Sequence, residues 1–397
     1  MKLLIGGSPC THWSIAQTKN RETEASGIGW ELFLNYRIAR DKYQPDYFLY
    51  ENNKSMSSTI RAQITAELGV EPVLINSALV SAQNRQRLYW AGKRNPDGTY
   101  SQVAVEQPVD RGILLRDILE NGVCWREKAY TLKANYFKSS VTNAMDGGHF
   151  PAPMAAEPVR IGTIRPNGGG SDGAATGLYA VPAAVEYNPL HSCDVVVTDQ
   201  NIRCTYKDGS GTAQGYTVTF DDVKSPSVIA GHAHKMKVIE RVTDKKQRPV
   251  YEVRGGQITI KGKTYPIKLA DGFYIIRKLT VTECKRLQTV PDTYAFPVSD
   301  TQAYKMLGNG WTVDVIAHIM SHFTGLRSEP VEVLSMYDGM SCGHIALDKL
   351  GAEITAYYAT EIDKYAIQTT QNNFPDTVQL GDAFQVRNDD WRLGEEL

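Results

Sequence analysis

The sequence has no long hydrophobic run, few cysteines and almost no net charge. Its 397 residues include 43 Lys and Arg against 44 Asp and Glu, a formal net charge of −1, which excludes a globally basic nucleic-acid coat protein. The longest apolar runs are a handful of residues, far short of the ~18 that a membrane span needs, and the glycine-rich start is unlike a signal peptide. These absences predict a soluble protein that is not exported, and we expect it to be cytoplasmic.

The six cysteines are scattered along the chain. No two of them form a Cys-x-x-Cys pair, and none is followed by His residues at the spacing of a zinc site. The pattern therefore predicts no disulfide framework and no metal, and it favours a reducing compartment. A hydrophobic fraction of 42% with 22% charged residues is typical of a folded globular protein.

Short apolar runs alternate with helical patterns at both ends of the chain. The predicted strands are Leu3–Ile5, Tyr47–Tyr50, Val73–Ile75 and Arg87–Ala91 in the first part, and Val331–Met336, Ile354–Ala359 and Val378–Leu380 in the last. Between them, Ile60, Ile64 and Leu68 mark one face of a helix, and Asp363–Asn373 is a second helix. Strands separated by helices predict an α/β fold, with a doubly wound, mostly parallel sheet.

The middle of the chain has a different texture. Clusters of Gly, Pro, Ser and Thr, such as Arg165–Gly173, are interrupted by short β-like runs, which predicts an inserted, mostly β domain. We therefore divide the chain into residues 1–95, 96–270 and 271–397. The stretch Lys235–Lys278 carries 12 basic and 4 acidic residues, a net charge of +8. Such a segment suits contact with a polyanion, although a solvated basic face is an equally good interpretation.

Three polar segments follow or enter strands in the first part. Gly6-Gly-Ser-Pro-Cys10 follows the first strand, where open α/β sheets place their ligands, and Glu51 ends the next strand at the same edge. A carboxyl group beside a nucleophilic thiol is able to act as a general acid. Arg85 and Arg87 are at alternate positions, so both guanidinium groups are expected on one face, where each is able to hold a carbonyl or a phosphate.

The last part carries an adenosine-binding pattern. Ser335–Gly343 joins a strand to a helix through glycines, which permits a ligand to approach the backbone closely. Glu361 and Asp382 end the next two strands, and two acids at successive strand ends suit the ribose hydroxyls and the adenine amino group. No phosphate-cradling Gly-x-x-x-x-Gly-Lys segment is present, so an adenosyl cofactor is favoured over NAD or ATP.

The order and wording of these motifs resemble the cytosine-C5 DNA methyltransferase family. The matching segments are Gly6–Cys10, Glu51-Asn52, Gln83-x-Arg85-x-Arg87, Arg277–Gln288, Gly308-Asn309, Tyr337–Gly343, Glu361 and Gly381-Asp382. One departure is large, because the cofactor motifs come last, so the chain resembles a circular permutation of the family. A smaller departure is Ser335, which stands where the family usually has Asp.

The resemblance implies a Rossmann-like class I methyltransferase domain that uses S-adenosyl-L-methionine and double-stranded DNA. The family's chemistry would have Cys10 add to C6 of a flipped-out cytosine, Glu51 donate toward N3, Arg87 hold the base carbonyl, and Arg85 steady the Cys10 loop or a phosphate. The inserted domain would recognise the DNA sequence. The cofactor residues implied are Pro9, Asn309, Trp311, Tyr337, Asp338, Gly339, Gly343, Glu361, Ile362, Asp382 and Ala383.

Other functions stay open at this point. An RNA substrate, such as tRNA, is the nearest alternative, although so large a middle domain is not expected in a tRNA-directed member. A thiol hydrolase using Cys10 and His12 would leave Glu361 and Asp382 without a role. A non-catalytic DNA-binding relative would not need Cys10, Glu51 and Arg87. A cognate restriction endonuclease is a partner that the resemblance allows.

Overall fold

The computed structural model describes residues 1–9, 12–14, 21–145, 152–159, 193–197, 201–207, 213–219, 242–243 and 249–393. Cys10 and the segment Arg165–Gly173 lie outside the described residues. The chain divides into two compact units. The first comprises Met1–Ile118, Glu127–Ser139 and Thr280–Leu397, and the second comprises Leu119–Arg126 and Ser140–Leu279. None of the described helices is both long and apolar enough to span a membrane.

The first unit is built on one mixed sheet. Its strands are β1 (Lys2–Gly6), β2 (Tyr47–Asn53), β3 (Pro72–Asn76), β5 (Gln86–Arg94), β6 (Tyr100–Gln102), β17 (Val331–Met336), β18 (Ile354–Thr360) and β19 (Val378–Gly381). The order across the sheet is β19-β18-β17-β1-β2-β5-β3, with β6 paired to β5. Each strand predicted from an apolar run is present, so those seven predictions are confirmed. A separate short pair joins β4 (Gln83–Asn84) to β7 (Ala129–Tyr130).

Helices cover both faces of this sheet. They are α1 (Gly27–Tyr43), α2 (Ser58–Leu68), α4 (Val281–Leu287), α5 (Asp300–Asn309), α6 (Val313–Met320), α7 (Cys342–Leu350) and α8 (Lys364–Asn373). Side chains alternate along β1, so Leu4 packs in one core cluster with Tyr36 of α1, while Ile5 meets α7 on the opposite face. A Cβ built on Gly343 of α7 would lie 2.1 Å from Cδ1 of Ile5, so this helix sits directly on the sheet.

The direction of β5 makes the sheet mixed, a detail that the prediction of a mostly parallel sheet did not specify. The strands β19, β18, β17, β1 and β2 pair in parallel, as expected, but β5 runs antiparallel to both β2 and β3. The physical reason is the short connection between β3 and β5. A parallel crossover needs a dozen or more residues, whereas residues 77–85 are enough only for a return in the opposite direction.

The second unit is largely β. It contains a short helix, α3 (Val141–Met145), and the strands β8 (Met154–Val159), β9 (Cys193–Val197), β10 (Asn201–Lys207), β11 (Ala213–Thr219), β12 (Val242–Thr243), β13 (Pro249–Arg254), β14 (Gln257–Ile260), β15 (Lys263–Pro266) and β16 (Gly272–Lys278). One sheet has the order β15-β14-β13-β16-β8, with β12 on β13, and another has β11-β10-β9.

The second unit overlaps the predicted middle range 96–270 without coinciding with it. Residues 96–118 and 127–139 belong to the first unit, because β6 pairs with β5 and β7 pairs with β4. The β5–β6 pairing is a local hairpin that carries the first sheet past residue 95, whereas the β4–β7 pairing is long-range and leaves no local pattern in the sequence. The role of the second unit in recognition stays a prediction.

Candidate active site

The loops after β17 and β1 lie side by side, and from them the chain continues to opposite sides of the sheet. The chain passes from β17 through α7 to β18 on one side, and from β1 through α1 to β2 on the other. Because β17 and β1 are parallel neighbours, with Gly6 beside Met336, their carboxyl ends lie together. Such a switch point is where open α/β sheets bind their ligands.

Glu51 lies at this edge and is held from two sides. Nε of Arg87 is 3.0 Å from Oε1 of Glu51, and Nε1 of Trp311 donates to Oε2 at 2.9 Å. Arg87 lies opposite Asn53 in the β2–β5 pairing, so it is diagonal to Glu51 on the same face. Glu51 is only 9% exposed. The sequence predicted that Glu51 and Arg87 would come together, whereas the Trp311 contact was not foreseen.

The loop that leads to Cys10 packs directly on Glu51. A Cβ built on Gly7 would lie 2.8 Å from the backbone oxygen of Glu51 and 3.0 Å from its Oε2, so only glycine fits there. Asn52 donates from Nδ2 to the carbonyl of Ser8 at 3.2 Å, and the hydroxyls of Ser8 and Tyr50 are 2.7 Å apart. Burial raises the pKa of Tyr50. Pro9, the last described residue before Cys10, is exposed.

The chain is also anchored after Cys10. Trp13 is fully buried, and its indole Nε1 donates to Oε2 of Glu22 at 3.1 Å. The same carboxylate oxygen accepts from the backbone N–H of Gly29 at 3.2 Å. The described residues Ser8 and Trp13, before and after Cys10 in the sequence, are therefore tied to β2 and to the start of α1.

The hydrogen-bond partners of Arg85 differ from those of Arg87. It is 3% exposed, and its guanidinium donates to the carbonyls of Leu132 at 3.3 Å, Gly308 at 3.3 Å and Gly310 at 2.9 Å. A buried guanidinium that binds backbone carbonyls orders the chain around it. Of the two arginines, Arg87 therefore contacts Glu51, whereas Arg85 clamps the turn between α5 and α6.

The loop between β17 and α7 has an unusual backbone. Tyr337, Gly339 and Ser341 have φ values of 61°, 61° and 56°. These values lie in the left-handed region, which residues other than glycine rarely adopt. Such residues cost free energy and cluster at binding sites. The loop therefore has the backbone of a ligand-binding turn.

Asp338 organises this loop. Its carboxylate accepts hydrogen bonds from Ser335 at 2.6 Å, from Tyr357 at 2.8 Å and from Ser341. Loss of water around the carboxyl group raises the pKa of Asp338, and the three hydroxyl donors oppose that rise. Its three partners come from β17, β18 and the end of the loop itself, so Asp338 holds the loop in place. Asp338 was predicted as a cofactor contact, and that role stays a prediction.

Two carboxylates flank the loop as predicted. Glu361, after β18, accepts from the backbone N–H of Gly339 at 2.8 Å and from those of Ile362 and Asp363, each at 2.8 Å. Asp382, after β19, is exposed and accepts from the N–H of Phe384 at 3.0 Å. Each carboxylate has lone pairs left for a ligand. The apolar side chain of Ile362 is 73% exposed beside them.

The other predicted cofactor residues differ in accessibility. Tyr337 is half-buried, and its hydroxyl donates to the carbonyl of Leu32 at 2.7 Å, so its ring is anchored to α1. Gly343 and Ala383 are buried, whereas Asn309 is exposed and Trp311 is half-buried. Buried residues at such a site support its shape, and only the accessible ones are able to touch a ligand directly.

A buried polar network was missed by sequence reasoning. Gln288 is fully buried. Its Oε1 accepts a hydrogen bond from Nε2 of Gln83 at 2.8 Å, and its own Nε2 donates to the carbonyl of Leu307 at 2.6 Å. The hydroxyl of Thr312 donates to the same Oε1 at 3.0 Å. The signal available was that Gln83 and Gln288 each stand in a segment that resembles a family motif, but the pairing of their amides joins residues 205 positions apart. Within the described part of the chain, no group of three or more His, Cys, Asp or Glu side chains is arranged to hold a metal ion.

Comparison with known proteins gives a consistent result. The profile of C-5 cytosine-specific DNA methylases matches residues 1–324. The chain is 23% identical over 374 residues to the orphan methyltransferase M.SPRI of Bacillus phage SPR, covering 80% of this chain and 81% of the relative. It is 24% identical over 329 residues to the type II methyltransferase M.HpaII of Haemophilus parainfluenzae, covering 79% and 69%. The type II methyltransferase M.Sau3AI of Staphylococcus aureus is also 24% identical, over 338 residues, with 80% and 76% covered.

Proposed function

Because the chain belongs to the C-5 cytosine-specific DNA methylase family, and is a DNA (cytosine-5-)-methyltransferase, we propose that Cys10 forms a covalent bond with the target cytosine and that S-adenosyl-L-methionine is the methyl donor. The observation that carries the proposal is the position of Glu51. This carboxyl group is fixed by Arg87 and Trp311 directly beneath Gly7, three residues before Cys10. The reaction needs an acid and a nucleophile, and Glu51 lies against the segment that leads to Cys10 in the sequence.

The proposed steps use the chain's own residues. The Cys10 thiolate forms a bond to C6 while Glu51 donates a proton toward N3, so the electron pair of the C5–C6 bond becomes available at C5. Once C5 has been methylated, the proton on N3 returns to Glu51, a base removes the C5 proton, and the electron pair left at C5 expels Cys10 as thiolate. The C5–C6 double bond is thereby restored. Arg87, next to Glu51, would hold the base carbonyl. We assign Arg85 the indirect role of holding the turn that presents Trp311.

The residues at the carboxyl ends of β17, β18 and β19 fit an adenosyl cofactor. Glu361 and Asp382 keep free lone pairs for hydroxyl and amino groups, and Ile362 offers an exposed apolar surface. When bound, S-adenosylmethionine supplies a methyl group on a sulfonium. In this proposal Tyr337, Gly339 and Asp338 shape the loop, and Pro9, Asn309, Gly343 and Ala383 line or support the site.

A test of the cofactor site is to change Glu361 to Ala. We expect the affinity for S-adenosylmethionine to fall by ~1.5 to 3 kcal/mol, because a charge-assisted hydrogen-bond pair is lost. Isothermal titration calorimetry measures the dissociation constant of S-adenosylmethionine for each variant. The matched control is Glu353→Ala, which removes an exposed acid at the other end of β18 and should leave the affinity unchanged. Equal affinity for wild type and Glu361→Ala would refute the assignment.

The DNA is proposed to be double-stranded, with the target base turned out of the helix so that it reaches Glu51. We further propose that the second unit recognises the DNA sequence, and that the chain is a circular permutation of the family order. The permuted order is easy to build, because α6 is followed by β17 after ten residues, 321–330. The relatives include an orphan phage enzyme and type II enzymes, so a partner endonuclease stays a prediction.

A test of the second unit uses the hairpin between β14 and β15. Lys261 and Lys263 are exposed at its tip, and Lys261 has a φ of 51°, a conformation that Asn tolerates. In the double variant Lys261→Asn/Lys263→Gln, we expect DNA binding to weaken uniformly across sequences. Its salt dependence should flatten by up to ~0.9 log units per phosphate contact removed.

The control for that test changes Lys2 and Lys93 to Gln, because both are exposed at the edge of the first sheet opposite the candidate site. Filter binding at several salt concentrations measures the slopes. If the Lys261→Asn/Lys263→Gln variant shows the same dependence of DNA affinity on salt concentration as the wild type, the phosphate contacts are made by other residues.

A further inference from the structure

The carboxyl group of Glu51 is held by a hydrogen bond from the indole of Trp311 and by an ion pair with Arg87. Nε1 of Trp311 donates to Oε2 at 2.9 Å, while Nε of Arg87 is 3.0 Å from Oε1. The two residues come from different elements, since Arg87 is on β5 and Trp311 is in the turn between α5 and α6. With one oxygen held from each side, the carboxyl group cannot rotate without breaking a hydrogen bond.

The two residues next to Trp311 in the chain are both held by hydrogen bonds. The carbonyl of Gly310 accepts from Nη2 of Arg85 at 2.9 Å. The hydroxyl of Thr312, a residue that is 1% exposed, donates to Oε1 of Gln288 at 3.0 Å and accepts from Ser77 at 2.8 Å. Moving the indole would disturb buried hydrogen bonds, which are costly to leave unmade. The buried network described above therefore ends at the donor to Glu51.

The loop before Cys10 also touches this contact. A Cβ built on Gly7 would lie 3.0 Å from Oε2 of Glu51 and 3.5 Å from Nε1 of Trp311. The hydrogen bond between Trp311 and Glu51 is therefore part of the surface on which that loop rests. A small displacement of either group would change the position of the loop relative to the acid.

We infer that Trp311 is a positioning residue for Glu51, and that the hydrogen bond from its indole N–H sets the orientation in which the carboxyl group meets the cytosine. The inference rests on the proposed function, because it presumes that Glu51 is the acid. It assigns Trp311 a role different from the cofactor contact that the family resemblance implies. Fixing a catalytic group in one orientation accelerates the chemical step without changing the affinity for the substrate.

The experiment is Trp311→Phe, which keeps an aromatic ring but removes the N–H donor. We expect the single-turnover methylation rate at saturating S-adenosylmethionine and DNA to fall about tenfold. The dissociation constants of both ligands should stay within about twofold. Trp311→Tyr, which places its hydroxyl at another point of the ring, carries the same expectation. The matched control is Trp90→Phe, because Trp90 is buried in the same unit and donates to Thr65 at 3.0 Å, with no contact to Glu51 among the described hydrogen bonds.

A double-mutant cycle with Glu51→Gln separates positioning from general support. If Trp311 acts through Glu51, adding Trp311→Phe to Glu51→Gln should change the residual rate by less than about twofold. The same tenfold fall in both backgrounds would overturn the inference, as would a weaker affinity for S-adenosylmethionine with an unchanged rate at saturation. Failure of the proposed function would be seen separately, because Glu51→Gln alone would then methylate DNA at nearly the wild-type rate.

Discussion

Changing Cys10 to Ser should abolish DNA methylation, lowering the single-turnover rate by at least ~10³-fold, because the reaction loses its nucleophile. The variant should also form no denaturation-resistant adduct with DNA that carries 5-fluorocytosine at the target, since fluorine at C5 blocks the release step and traps the covalent bond. Gel electrophoresis under denaturing conditions, with S-adenosylmethionine present, measures the adduct. DNA binding without the covalent step should remain, because Ser is close to Cys in size.

The control for that experiment is Cys124→Ser, which changes a half-buried thiol in the second unit. It should form the adduct as fully as the wild type. Cys342 is a poor competitor for the base, because burial raises the pKa of its thiol to about 12 and it is 4% exposed. An equally strong adduct with Cys10→Ser would show that the nucleophile is another residue.

Changing Glu51 to Gln should lower the methylation rate by ~10²- to 10⁴-fold, the usual contribution of a general acid. Gln has nearly the same shape, but its amide is not acidic and cannot transfer a proton to the base. Its NH₂ group would also face either Arg87 or Trp311, both of which present N–H groups. We expect the DNA dissociation constant to change much less than the rate. A rapid-quench assay with tritiated S-adenosylmethionine measures the rate, and thermal unfolding checks that the variant is folded.

The control here is Glu67→Gln, which weakens an ion pair between α1 and α2, where Nε of Arg37 is 3.3 Å from the Glu67 carboxylate. This pair is in the same unit but outside the candidate site, and its loss should leave the rate within about twofold, as for most partly exposed pairs. A Glu51→Gln chain that methylates DNA within tenfold of the wild type would remove Glu51 from the chemistry.

Hydrophobic periodicity was sufficient to predict the strands and the outline of the fold. A strand such as β1 or β17 is buried on both faces, so its apolar residues form a continuous run that is visible without tertiary information. The same is true of Ile60, Ile64 and Leu68, which are all buried in the structure. Strand direction is different, because it depends on the path of the chain between strands, and the sequence pattern left the direction of β5 open.

By itself, the sequence determined which residues follow the strands at their carboxyl ends: the loop before Cys10, Glu51, Glu361 and Asp382. Only the tertiary structure decided how those side chains are held. In the structure β5 runs antiparallel to β2, which places Arg87 beside Glu51. Trp311, 260 residues away in the sequence, contacts Oε2 of Glu51. The physical reason is that strand ends follow from local burial patterns, whereas hydrogen bonds between distant segments depend on packing and leave no periodic trace in the sequence.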